Sequence, residues 1–135
     1  IRLALSASET GHVVFGTLHT NSAAKTIDRI VEVFPTAEKP TIRTMISESI
    51  QAVVSQSLLK KIGGGRIAVH EILVGTPAIR NLIRENKVAQ MYSAMQTGQK
   101  FGMQTLDQKL EELLQQKLIT KAHAWEYAIN KDKFE

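Results

Sequence analysis

The sequence predicts an α/β protein whose second half turns helical, and three observations carry that prediction. A short, apolar and β-branched run, Val13-Val14-Phe15-Gly16-Thr17-Leu18, is followed by a polar loop and an amphipathic helical stretch. Two more strand-like runs flank Gly63-Gly64-Gly65. From Thr76 onward the apolar residues recur at helical spacing. Residues 1–75 are therefore expected to form one α/β unit and residues 76–135 a helical region.

Ile1 to Glu9 reads as a short helix ended by Gly11, which accepts positive φ without steric penalty. Val13 to Leu18 has the uninterrupted apolar character of a strand buried on both faces, as in a parallel sheet. His19-Thr20-Asn21 forms the loop after it, and Ser22 can cap a helix with its apolar stripe at Ala23, Ile27, Ile30, Val31 and Phe34, stopped by Pro35. A helix starting between Thr36 and Pro40 should turn Ile42, Met45, Ile46, Ile50 and Val53 inward, giving way to a strand near Ser55. Ser57 to Lys60 and Arg66 to Val74 should pair as an antiparallel hairpin across the three glycines, which supply the positive φ such turns require. Thr76-Pro77 is a cap followed by proline at the first helical position, opening a helix to about Glu85 with Ile79, Leu82 and Ile83 inward. Thr105 and Gln108 have capping-box spacing, and Thr120 can cap a last helix carrying Trp125 and Ile129.

Composition removes several classes of function. With no cysteine among 135 residues, disulfides and thiolate metal sites are excluded and a reducing, cytoplasmic setting is favoured. No apolar run approaches the ~20 residues of a membrane span. The net charge of +4 is scattered and lacks a basic stripe with interleaved aromatics, so nucleic acid is not an expected partner.

Candidate chemistry centres on the loop after Val13–Leu18, because ligands of open parallel sheets bind outside the carboxyl ends of strands. His19, Thr20, Asn21 and Ser22 offer an imidazole, hydroxyls, a carboxamide and the amides of a helix N-terminus, a set suited to an anion such as phosphate. The alternative is that Ser22 only caps its helix and His19 bonds locally. His12 and His19 should lie ~20 Å or more apart along an extended strand, and their spacing does not suit two metal ligands on one helix face. The sequence contains no G-x-x-x-x-G-K-[ST], no G-x-S-x-G and no cysteine nucleophile, so the residues alone supply an anion-tolerant loop without a complete catalytic set.

Thr10-Gly11-His12-Val13-Val14-Phe15-Gly16-Thr17-Leu18-His19-Thr20-Asn21 resembles the histidine box of the secretion and pilus ATPase superfamily, continued by Ala23 to Ile30. Ala78-Ile79-Arg80-Asn81-Leu82-Ile83-Arg84-Glu85 matches the AIRNLIRE motif of its PilT branch, the pilus-retraction ATPases, and Gln96-Thr97-Gly98-Gln99 with Gly102-Met103-Gln104-Thr105 is similar to that branch as well. The resemblance implies the C-terminal part of a RecA-like ATPase domain followed by a helical region, with a PAS-like domain, phosphate-binding loop, acidic box and Walker B motif expected before Ile1. It implies a homohexameric motor that hydrolyses ATP with Mg2+ to retract type IV pili in twitching motility. Such a motor is cytoplasmic and meets the inner membrane through a platform protein. By the resemblance His19 and Arg29 are catalytic candidates, His12, Thr20 and Asn21 nucleotide-side residues, and Arg80, Arg84 and Glu85 a partner-facing motif. The chain alone is expected to bind ATP weakly and to turn over none. A pilus-assembly or type II secretion ATPase is the alternative within the superfamily, disfavoured because its C-terminal domain normally carries a four-cysteine zinc motif. A non-catalytic docking module is the alternative outside it.

Overall fold

The computed structural model describes residues 1–135. It contains seven α-helices, α1 (Arg2–Glu9), α2 (Ala23–Glu32), α3 (Lys39–Ser49), α4 (Pro77–Arg84), α5 (Val88–Gln96), α6 (Leu106–Gln115) and α7 (Lys121–Tyr127). Its two strands are β1 (Ala52–Lys60) and β2 (Arg66–Val74). The expected caps form: Ser22, Thr76, Thr105 and Thr120 each accept from the backbone N–H three residues on, and Thr105 with Gln108 completes a capping box. Ile129 falls beyond the end of α7.

The hairpin is longer than its sequence signal, pairing nine residues from Ala52 opposite Val74 to Lys60 opposite Arg66. Gly63, Gly64 and Gly65 all have positive φ at its turn, where a Cβ would strain the backbone. Helices cover one face, and Val54 and Leu58 on β1 are exposed.

Two apolar cores flank this hairpin. The first joins Ile27 and Val31 of α2, Ile42 and Ile46 of α3, Ile79 and Ile83 of α4, Met91 and Met95 of α5, and Leu73 of β2. The second joins Leu59 and Val69 of the hairpin to Leu110 and Leu113 of α6, Ala124 of α7 and Phe134. Helices α4 and α5, which follow residue 75, thus pack with α2 and α3 in the first core.

The strand expected over Val13 to Leu18 does not form. Val13 is 82% and Phe15 93% exposed, and no residue from Val13 to His19 donates a backbone hydrogen bond. The run is apolar enough for a strand, but β1 pairs with β2, β2 adds one bridge from Ile72 to Gln104, and neither pairs with Val13–Leu18. No helix is long and apolar enough to cross a membrane.

Candidate functional site

The loop before α2 is held from its helix side. Thr20 Oγ1 lies 2.6 Å from Thr26 Oγ1, which in turn donates to the Ser22 carbonyl at 2.8 Å. His19 and Asn21 are exposed and their side chains make no hydrogen bond within the chain. His12 Nδ1 lies 3.2 Å from the Ala7 carbonyl. The same Nδ1 also lies 3.2 Å from the Thr10 hydroxyl. Arg29 is exposed on α2, free of ion pairs.

His12, His19, Thr20, Asn21 and Arg29 all line one open groove of about 1880 Å3, walled by α1, the Val13–Leu18 segment, α2 and the edge of β1. The two catalytic candidates and the three nucleotide-side candidates thus line the same groove. One part of that expectation is narrowed: of the amides at the α2 N-terminus, those of Ala23, Lys25 and Thr26 are already engaged. The Ala23 N–H donates to Glu71 Oε1 at 2.9 Å and the Lys25 N–H to Ser22 Oγ at 3.3 Å. A carboxylate at that helix end opposes a second anion there, so an anion in the groove would meet the side chains of His19, Thr20 and Asn21.

The other three residues lie outside this groove, and Arg80 does not share the wet face of α4 with Arg84. Arg84 is exposed in the last turn of α4. Glu85 is exposed and paired with Lys87 at 3.0 Å; the hydrogen bond from Lys87, then its charge, hold the Glu85 carboxyl below the usual range. Arg80 is half-buried and turned inward. Its Nε donates to the Gly75 carbonyl at 2.7 Å and its Nη1 to the carbonyls of Ser47 and Glu48 at 2.8 and 2.7 Å. The last two are carbonyls that α3 leaves unpaired at its C-terminus, where a cation is favoured. Helical spacing alone places Arg80 with Arg84 on the wet side, and what it misses is that the end of α3 lies against α4. A Cβ at Gly75 would collide with the Ile50 carbonyl oxygen, so glycine is needed for that approach.

Two carboxylates escaped the sequence reading. Glu71 is 1% exposed and accepts from two helices at once, from the Ala23 N–H through Oε1 and from the Leu106 N–H through Oε2 at 3.0 Å. Its signal was present: Val69, Glu71 and Leu73 share one face of a strand by the period of two, so a charge sits on the inward side of an apolar run. Asp107 is equally buried and accepts from the Ile129 and Asn130 N–H groups at 2.8 and 2.9 Å, fastening the chain after α7.

The Type II/IV secretion system protein family matches residues 1–64. The type IV pilus retraction ATPase PilT of Pseudomonas aeruginosa is 68% identical over 128 residues, which are 95% of this chain and 37% of that protein. A twitching motility protein of Neisseria gonorrhoeae is 59% identical over 98% of this chain and 36% of its own length. A crystal structure of the pilus retraction motor PilT with bound ADP superposes with a TM-score of 0.88 at 48% identity, over 98% of this chain and 37% of that one. This chain therefore spans little more than a third of the relatives it matches. The α/β class with a helical second half holds, and by sequence and fold together the chain is similar, over nearly its whole length, to about a third of the length of the PilT-type pilus-retraction ATPases.

Proposed function

We propose that this chain is part of an ATP-hydrolysing hexameric motor that drives type IV pilus retraction and twitching motility, acting from the cytoplasmic face of the inner membrane through a platform partner. The observation that carries the reading is the coincidence of 68% identity to a retraction ATPase with a groove that gathers His12, His19, Thr20, Asn21 and Arg29. A pilus-assembly or type II secretion ATPase is the weaker alternative, since a four-cysteine zinc motif cannot be built from a chain without cysteine.

The donors fit one side of a phosphate. His19 and Asn21 are exposed and unengaged, and none of the loop residues is a carboxylate. They do not make a complete nucleotide site, because the sequence contains no lysine-bearing phosphate loop. ATP with Mg2+ would bring a good leaving group and charge neutralisation, held mainly by residues outside this chain. His19 would orient toward the terminal phosphate and donate as charge develops on it, and Thr20 and Asn21 would position its oxygens. Arg29 would add positive charge from the groove wall, at a neighbouring subunit's nucleotide or its own. Arg84 and Glu85 remain available to a partner on the exposed side of α4.

His19→Ala in the intact protein tests this reading. Turnover is expected to fall on the order of 100-fold with the KM for ATP little changed, as when one transition-state donor is removed. Unchanged turnover with weakened binding would make His19 a ground-state contact. As a second check, calorimetry on the 135-residue chain should detect no micromolar Mg-ATP binding.

A further inference from the structure

We propose that Glu71 is a positioning residue that couples the His19–Ser22 loop to the C-terminal helices, passing a displacement of one to the other. The inference rests on the reading that this loop faces the nucleotide. Both hydrogen bonds go to equivalent places: Ala23 and Leu106 are the first residues of α2 and α6, and in each helix the cap side chain is already occupied by an N–H further along. Neither cap residue can serve the first amide as well. One carboxylate from a strand between them takes the first amide of both helices, with its charge set against both positive helix termini.

The position of Glu71 makes this more than local satisfaction. On β2, Val69 belongs to the second core and Leu73 to the first, so Glu71 stands on the inward face where the two cores meet. The start of α6 is fastened to β2 independently. Gln104 exchanges backbone hydrogen bonds with Ile72 at 2.9 and 3.2 Å, and its Nε2 donates to the His70 carbonyl at 2.6 Å. The loop and α2 have no hydrogen bond to the hairpin other than that from Ala23 to Glu71. A shift of the loop that moves Ala23 must therefore either drag the carboxylate, and with it Leu106, or leave a buried charge short of a donor.

Hydrogen exchange in the intact protein tests the coupling. Ser22→Ala weakens the start of α2, and it is expected to speed exchange around Leu106 by about fivefold, the scale of a lost cap. Thr105→Ala should do the same around Ala23, because coupling is reciprocal. Both cross-effects should vanish in a Glu71→Gln background, since a carboxamide has one acceptor oxygen and can hold only one of the two N–H groups. Absence of either cross-effect overturns the proposal even if Glu71→Gln fails to fold, and a cross-effect that persists in Glu71→Gln overturns it too. A non-hydrolysable Mg-ATP analogue separates the two readings. It should slow exchange at both helix starts in the wild type and only at Ala23 in Glu71→Gln. If it slows neither while the cap variants still communicate, the nucleotide-facing reading of the loop falls and the mechanical link stands.

Discussion

Val13–Leu18 and Ile67–Val74 are similar stretches of sequence with opposite fates. Both are apolar, β-branched and short; one lies open to solvent and donates no backbone hydrogen bond, and the other makes eight pairs and supplies a residue to each core. The difference lies in the neighbours. Arg66–Val74 follows a tight glycine turn from a matching strand, whereas Val13–Leu18 runs between two helices with no strand joined to it by a short turn. Strand propensity describes fitness for a pleated, half-buried surface, and the surface must be there.

The largest expected effect breaks that comparison most directly. Leu73→Ala, at a fully buried position of β2, should lower the stability of the chain by about 2–5 kcal/mol in urea unfolding. Phe15→Ala should change it by no more than about 0.5 kcal/mol. Comparable losses from the two would show that the open segment packs in solution.

Arg80 and Arg84 sharpen the same contrast within one helix. Arg80→Ala removes a cation from three carbonyls and should destabilise by about 1.5–3 kcal/mol. Arg84→Ala should be close to neutral in stability while remaining a candidate for lost pilus retraction in the intact protein. Thermal melts of both variants, with a motility assay for Arg84→Ala, separate an internal latch from an exposed contact.

The smallest effect concerns Asp28 on the groove wall, whose carboxyl is pushed up first by burial, then by Glu32, and pulled back in part by Arg43. A folded pKa above the unfolded value means stability is fully present below the unfolded value and declines as pH rises through the folded one. Asp28→Asn should therefore raise the melting temperature slightly at pH 7. The gain should disappear as pH falls below the ordinary aspartate value of 3.8. A gain that grows toward acid pH would reverse the assignment.

What was legible in the sequence was local. Ser22, Thr76, Thr105 and Thr120 announce their helices because a cap needs only the next three residues, and the glycine turn announces the hairpin because its partners are adjacent. The groove was legible in part, through the His19–Asn21 loop placed just before a capped helix. What could not be read depends on distant chain. Glu71 meets Ala23 across 48 positions and Leu106 across 35, and Arg80 reaches Ser47 across 33. No periodicity within α4 shows that the end of α3 awaits the Arg80 guanidinium, and only the strand period hinted that Glu71 needed a partner.

The hairpin has a consequence for how the chain reaches its fold. All nine of its pairs lie within the single stretch Ala52–Val74, closed by a short turn, so it can form on the microsecond scale, about 1–10 μs for an isolated hairpin. Leu73 near one end and Leu59 with Val69 nearer the other then present a ready-made apolar edge to each core. Both cores can condense on the same nucleus without waiting for each other, and a substitution that slows hairpin closure should retard their folding together.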